Sequence, residues 1–168
     1  MNKIGKFEKV SFEQFLSDVE MCFGYTYTID EIRKAYEEIE IPTRSTMGSA
    51  GYDFKMPFCV EMGKDKIYRV PTGIRCKMFP EWVLMLCPRS GLGCKYGFKL
   101  ENTVGVIDSD YYNSDNEGHI MAVISQSGSE LLGLNAGKAF MQGIFFEYGI
   151  TTDDDTYNIR NGGFGSTD

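Results

Sequence analysis

The sequence has one histidine, five cysteines without a Cys-x-x-Cys pair, fewer basic than acidic residues and no long apolar run. Each shortage removes a class of function. The cysteines (Cys22, Cys59, Cys76, Cys87 and Cys94) are odd in number and unpaired in spacing, which argues against a disulfide framework or a zinc site and suits a reducing compartment. We read them as small apolar residues in strands. With His119 alone available, a Ser/His or Cys/His scheme would have to run through it, and no Gly-x-Ser-x-Gly sequence accompanies it. His119 is therefore expected to be structural or exposed. Lys and Arg number 17 against 24 Asp and Glu, a net charge of -7 that repels a phosphate backbone and argues against direct nucleic-acid binding. One small anionic ligand remains compatible, provided a few cations and backbone amides converge on it, with or without a metal. No window approaches a bilayer span, and "MNKIGKFEKV" leads into no apolar run of signal-peptide length. The expectation is a soluble, cytoplasmic protein without membrane contact.

What is present fits one domain with appendages, because 168 residues are too few for two domains of typical size. Residues 1–41 read as a helical amino-terminal extension. Phe12, Phe15, Leu16 and Val19 recur at helical spacing after Ser11, placed to cap with Gln14 three residues on. Thr28 and Glu31 resemble a capping box ahead of Ile29, Ile32, Ala35, Tyr36 and Ile39, with Pro42 beyond the end. From 42 to 150 the pattern changes to short β-rich runs: "IYRV", "TGIRCKMF", "EWVLMLC", "TVGVI", "HIMAVIS" and "AFMQGIFFEYGI". This spacing implies an all-β sandwich or barrel. Residues 151–168 read as a polar connector, "TTDDDTYN", followed by a flexible glycine-rich arm, since "IRNGGFGSTD" can form neither a stable helix nor a central strand.

Four stretches place polar residues beside glycine, where backbone can approach a ligand. "PRSGLG" offers the Arg89 guanidinium, the Ser90 hydroxyl and the uncluttered backbone of Gly91 and Gly93, read either as a phosphate cradle or as a glycine-rich turn. "VIDSD" sets Asp108 and Asp110 two apart, suited to Mg²⁺ or water activation, or else to a turn that caps its own backbone. Tyr111 adds a flat surface against which a sugar can pack. In the arm, Arg160, Ser166 and Thr167 are phosphate donors, Gly162, Gly163 and Gly165 expose amides, and Phe164 can stack on a base. "SAGYDF" (49–54) is the fourth stretch.

Together and in this order, the stretches resemble the five motifs of the dUTP pyrophosphatase family, over about three-quarters of the chain from Pro42 to Thr167. The resemblance implies a jelly-roll-like β-barrel that assembles as a homotrimer, each site at a subunit junction with the arm reaching across from a neighbour. It implies that Asp53 contacts the water shell of Mg²⁺ and that Arg89, Ser90 and Gly91 hold the triphosphate, with Ser90 near the bond that breaks. Asn102 and the backbone near Gly105 would read the uracil edge, Asp108 would activate water, and Tyr111 would pack against deoxyribose. Gln142 matches the family glutamine of the fourth motif, although Ala136, Gly137, Lys138 and Ala139 depart from the usual run. Arg160, Ser166 and Thr167 would meet the γ-phosphate, with Gly163, Phe164 and Gly165 forming the lid over uracil. Asp168 replaces a common glycine, and Tyr112-Asn113 departs from the usual turn. The implied reaction is dUTP plus water to dUMP and pyrophosphate, which limits uracil in DNA and supplies dUMP for dTMP synthesis. Two alternatives stand beside it: a dCTP deaminase, which lacks the Phe-Gly closing motif, and a dUTP-gated regulator that binds a protein partner through the amino-terminal extension.

Overall fold

The computed structural model describes residues 2–160 and 162. Its amino-terminal segment opens with strand β1 (Gly5–Lys9), followed by helices α1 (Phe12–Phe23) and α2 (Ile29–Glu38). The Ser11 hydroxyl caps α1 by accepting the Gln14 amide at 3.1 Å, and Gly24 ends the helix at a φ of 60°. Thr28 and Glu31 form the expected capping box on α2. The apolar faces of the two helices bury Phe15, Val19, Ile32 and Ala35 against Phe58, where Tyr27 stacks on the Phe58 ring at 4.4 Å. Ile39 touches both this small core and the main one.

The remainder is β2 (Thr43–Arg44), β3 (Tyr52–Lys55), β4 (Val60–Met62), β5 (Tyr68–Pro71), β6 (Ile74–Met78), β7 (Trp82–Pro88), α3 (Ser90–Tyr96), β8 (Phe98–Leu100), β9 (Gly105–Ile107), β10 (Met121–Gln126), β11 (Leu132–Leu134) and β12 (Ala139–Glu147). A 3₁₀ turn spans Ser109–Asn113. Every strand pairing is antiparallel. The strands pack in a jelly-roll-like arrangement around one apolar core, to which Phe54, Met62, Val70, Leu84, Ile124, Leu134 and Phe140 contribute. Alternation along β7 sends Leu84 and Leu86 inward.

Two expectations are corrected. The described strands form four separate ladders, β1-β6, β5-β10-β8, β11-β4 and β2-β3-β12-β7-β9, and no hydrogen-bonded ring closes into a barrel. The strands are short, and glycine-rich or polar turns interrupt the pairing before it can close. The amino-terminal segment is also not purely helical. β1 pairs with β6 from Gly5↔Met78 to Lys9↔Ile74, and Phe7 enters the main core against Tyr52, Phe54 and Phe145. Its lysine-rich alternation hid the strand, since only Phe7 of the five residues is buried. The cysteines are free, but only Cys76 and Cys87 lie in strands, and burial pushes the Cys76 thiol up to about 12.

Between Tyr111 and His119 the chain makes a tight turn, with Glu117 at a φ of 57° and Gly118 at 69°. A Cβ at Gly118 would sit 2.6 Å from the Tyr111 carbonyl oxygen and 2.7 Å from Tyr112 Cα, so only glycine fits. Gly137 has a φ of +77° with nothing near its missing Cβ. In denaturant titrations Gly137→Ala should lose about 1–2 kcal/mol for the left-handed backbone alone, and Gly118→Ala should lose clearly more.

Two carboxylates fasten the amino-terminal segment to this turn. Glu117 accepts the Ser11 amide at 2.8 Å and the Ser11 hydroxyl at 2.6 Å, and Glu8 accepts the Tyr112 hydroxyl at 2.7 Å. Partial burial opposes the Glu117 charge, but the Ser11 donors and the nearby Arg75 outweigh it and hold the carboxyl below its ordinary value. The Tyr112 hydroxyl, then Lys6, does the same for Glu8. Lowered folded-state values mean that both groups stabilise the fold above an unfolded glutamate value of about 4.3, and that this stabilisation disappears as pH falls through the folded values. Unfolding free energy measured between about pH 3 and pH 6 should therefore drop at the acid end, with a shallower drop in Glu117→Gln.

Candidate active site

Strand β12 is paired on both edges, and its register gathers the first group of site residues. Gln142 lies opposite Asp53 on β3 and opposite Cys87 on β7, so these three side chains share one face of the sheet. Arg89 leaves the end of β7, and its guanidinium stands 3.4 Å from the Asp53 carboxylate. The Gln142 side chain lies over Gly51, where a Cβ would be 2.3 Å from its amide oxygen. In the stretch that reads as a phosphate cradle or a glycine-rich turn, Ser90 and Gly91 are the exposed first residues of α3. As first-turn residues their amides have no acceptor within the helix. The fold thus brings Asp53, Arg89, Ser90, Gly91 and Gln142 to one end of the β3-β12-β7 ladder.

The second group surrounds a cavity of about 200 Å³ lined by Leu86, Asn102, Gly105, Val106, Ile107, Asp108, Tyr111, Met121 and Arg160. Gly105 pairs with Leu86 in the β9-β7 ladder, and a Cβ there would press on the Leu86 side chain at 3.0 Å. Asn102 stands in the tight turn before β9, its carbonyl accepting the Val104 amide at 2.7 Å. Asp108 ends the strand and begins the 3₁₀ turn. Tyr111 is buried at the cavity floor, where its hydroxyl donates to the His119 carbonyl and accepts from Asn116, both at 2.9 Å. Burial raises the pKa of this phenol, so Tyr111 offers a neutral flat ring.

Arg160 from the arm joins this group. Its guanidinium bonds the Asp108 carboxylate, donates to Asp110 at 2.9 Å and lies 5.9 Å from the Tyr111 ring. Although Asp108 caps the 3₁₀ turn and Asp110 lies within it, so that neither sits on an extended strand, both aspartates meet one arginine from fifty residues on. Beyond it, Ser114 donates to the Gly162 carbonyl at 3.4 Å. Gly163, Phe164, Gly165, Ser166 and Thr167 lie outside the described residues. The apolar wall of Leu86, Val106 and Met121 was not singled out from the sequence, because such residues read simply as strand core.

The site thus combines a cavity of about 200 Å³, lined in part by Asp108 and Arg160, with a strand end that presents Arg89 and the start of α3. The dUTPase family model matches residues 37–168. The chain belongs to the dUTPase family. It is similar to the deoxyuridine 5'-triphosphate nucleotidohydrolase of Lactococcus lactis, with 39% identity over 77% of this chain and 88% of the relative. The Escherichia coli enzyme of the same name is 35% identical over 77% of this chain and 87% of its own length. Among solved structures, a dUTPase from Streptococcus mutans aligns with a TM-score of 0.64 at 33% identity, covering 87% of this chain and 98% of that one. The protein is accordingly a dUTP diphosphatase.

For a dUTPase, the donor set also bears on the metal. Among the described residues no group of three or more His, Cys, Asp or Glu could cage an ion, and Asp53 is a single carboxylate facing Arg89. That set fits a Mg²⁺ ion carried by substrate phosphates and its own waters, which needs only one or two carboxylates from the protein.

The contact between Gly51 and Gln142 can be tested directly. Gly51 has an ordinary φ, and the atom its Cβ would meet is the far end of a flexible side chain. Gly51→Ala should keep stability within about 0.5 kcal/mol while displacing Gln142, so dUTP turnover falls without a matching fall in melting temperature.

Proposed function

We propose that this dUTP diphosphatase cleaves dUTP between the α- and β-phosphorus, with Asp108 as the general base and the cavity above Tyr111 as the deoxyuridine site. The observation that carries the reading is the convergence of Asp108, Asn102, Gly105 and Tyr111 on that one cavity. Asn102 and the backbone at Gly105 would hydrogen-bond the uracil edge. The Tyr111 ring would lie under the deoxyribose and leave no room for a 2'-hydroxyl. Arg89, Ser90 and Gly91 would hold phosphate oxygens through charge-assisted and backbone hydrogen bonds, with Gln142 beside them. Arg160 would exchange its aspartates for phosphate oxygens when a polyphosphate arrives, freeing the Asp108 carboxylate. Asp108 then takes a proton from water as the water oxygen bonds to the α-phosphorus, and the bond to the bridging oxygen breaks to release pyrophosphate. Mg²⁺, when bound to the phosphates near Asp53, would neutralise their charge and that of the leaving group. Gly163, Phe164, Gly165, Ser166 and Thr167 would close over the nucleotide.

The division of the site supports a homotrimer. Within one chain none of the residues that would hold phosphate (Asp53, Arg89, Ser90, Gly91, Gln142) lines the nucleoside cavity. A neighbouring copy that brings the two together would complete the site. The cellular setting we infer is the cytoplasm, where the reaction limits uracil in DNA and supplies dUMP.

Pyrophosphate release from dUTP, UTP, dCTP and dTTP with Mg²⁺ tests the reading, with ammonia measured alongside. Selective dUTP cleavage without ammonia is expected, lost on chelation. Asp108→Asn should reduce kcat by about 10²-fold to 10⁴-fold. A mutant that retains wild-type kcat would remove Asp108 from the mechanism.

A further inference from the structure

The family match begins at residue 37, yet residues before it bond to the segment that carries Tyr111 of the nucleoside cavity. Asp18 on α1 is buried and contacts His119 Nδ1 at 2.5 Å, while the Gln14 side chain donates to the same carboxylate oxygen at 2.8 Å. His119 is fully buried, and its Nε2 accepts the Gly73 amide at 2.7 Å. An amide donor on Nε2 leaves the ring hydrogen on Nδ1, donated to Asp18. The His119 carbonyl in turn receives the Tyr111 hydroxyl. One continuous path therefore runs from α1 through His119 to Tyr111. Two parallel ties flank it. Ser11 grips Glu117, and Glu8 grips Tyr112, whose ring also lies 4.4 Å under the Arg75 guanidinium. All three ties end on the segment between Tyr111 and His119, which holds residues at positive φ and has little regular structure of its own.

We propose that Asp18 is a positioning residue for sugar discrimination: through His119 it fixes the height of the Tyr111 ring, and the amino-terminal extension thereby sets the preference for dUTP over UTP. The inference rests on the reading of Tyr111 as the deoxyribose surface. A ring held from behind by a buried histidine cannot sink to admit a 2'-hydroxyl. Glu117, two residues before His119, acts in the same direction.

The test compares kcat and KM for dUTP and UTP in the full-length wild type, Asp18→Ala, Asp18→Asn, Glu117→Gln and Ile32→Ala. Asp18→Ala removes the acceptor from His119 Nδ1. Asp18→Asn keeps an oxygen that can accept both present donors. Ile32→Ala loosens the small core of the two helices while leaving every hydrogen bond of the Asp18–His119–Tyr111 path in place. We expect the dUTP/UTP ratio of kcat/KM to fall at least about tenfold in Asp18→Ala, since a misplacement of 1 Å by a distant change can be worth up to about 10²-fold. KM for dUTP should rise more than kcat falls, Asp18→Asn should restore the ratio, and Glu117→Gln should show a smaller fall. Ile32→Ala should lower the melting temperature with the ratio intact. An unchanged ratio in Asp18→Ala, or a fall equal to that in Ile32→Ala at equal loss of melting temperature, would overturn the proposal. Amide hydrogen exchange over residues 109–119 keeps the outcome separate from the catalytic reading. Faster exchange in Asp18→Ala than in Ile32→Ala supports the tie even if dUTP proves not to be cleaved, and equal exchange overturns it.

Discussion

The arrangement of the site depends on the register of β12, which is hydrogen-bonded to β3 on one edge and to β7 on the other. From Met141 onward, past a register shift between Ala139 and Met141, side chains alternate, so a slip of one residue would turn Gln142 into the core and Met141 toward solvent. Burial of Met141 opposes the slip. The same register sets Asp53 opposite Gln142, aims β7 so that Arg89 leaves its end beside Asp53, and offers the far edge of β7 to β9, which delivers Asp108. Apolar packing on one face of a sheet thereby fixes the polar chemistry at its ends.

Much of this was legible in the sequence because it is local. The six apolar runs noted between Ile67 and Ile150 each overlap a strand, the Thr28–Glu31 capping box formed, and His119 proved structural. The glycine-flanked polar stretches marked the site, since close backbone approach leaves a local signature at Gly51 and Gly105. What the pattern could not carry was partnership over distance. β1 has one buried residue and owes its strand to pairing with β6, which lies some seventy residues away in the chain. Ser90 and Gly91 have weak helical propensity and are helical because Leu92 anchors the turn in the core. Likewise, neither Asp18 within its helix nor Glu117 within its turn reveals that one meets His119 and the other Ser11.

Electrostatically, an acidic protein handles an acidic substrate by keeping its cations in pairs. Arg89 faces Asp53, and Arg160 faces Asp108 and Asp110. Each pair holds an arginine at the rim without creating a broad positive surface, so the net charge of -7 is no obstacle to recognising one polyphosphate. The aspartates are also kept from repelling one another.

The arm that carries Arg160 leaves β12 at Glu147 and returns to the 3₁₀ turn of its own chain. At about 3.3–3.6 Å per extended residue, the intervening segment can span roughly 40 Å, and it brings Arg160 to the cavity of its own chain. The tether therefore works by effective concentration. An arm on its own carboxylates competes at a local concentration that dilution cannot change. Phosphate oxygens must therefore compete with two tethered carboxylates for the same guanidinium.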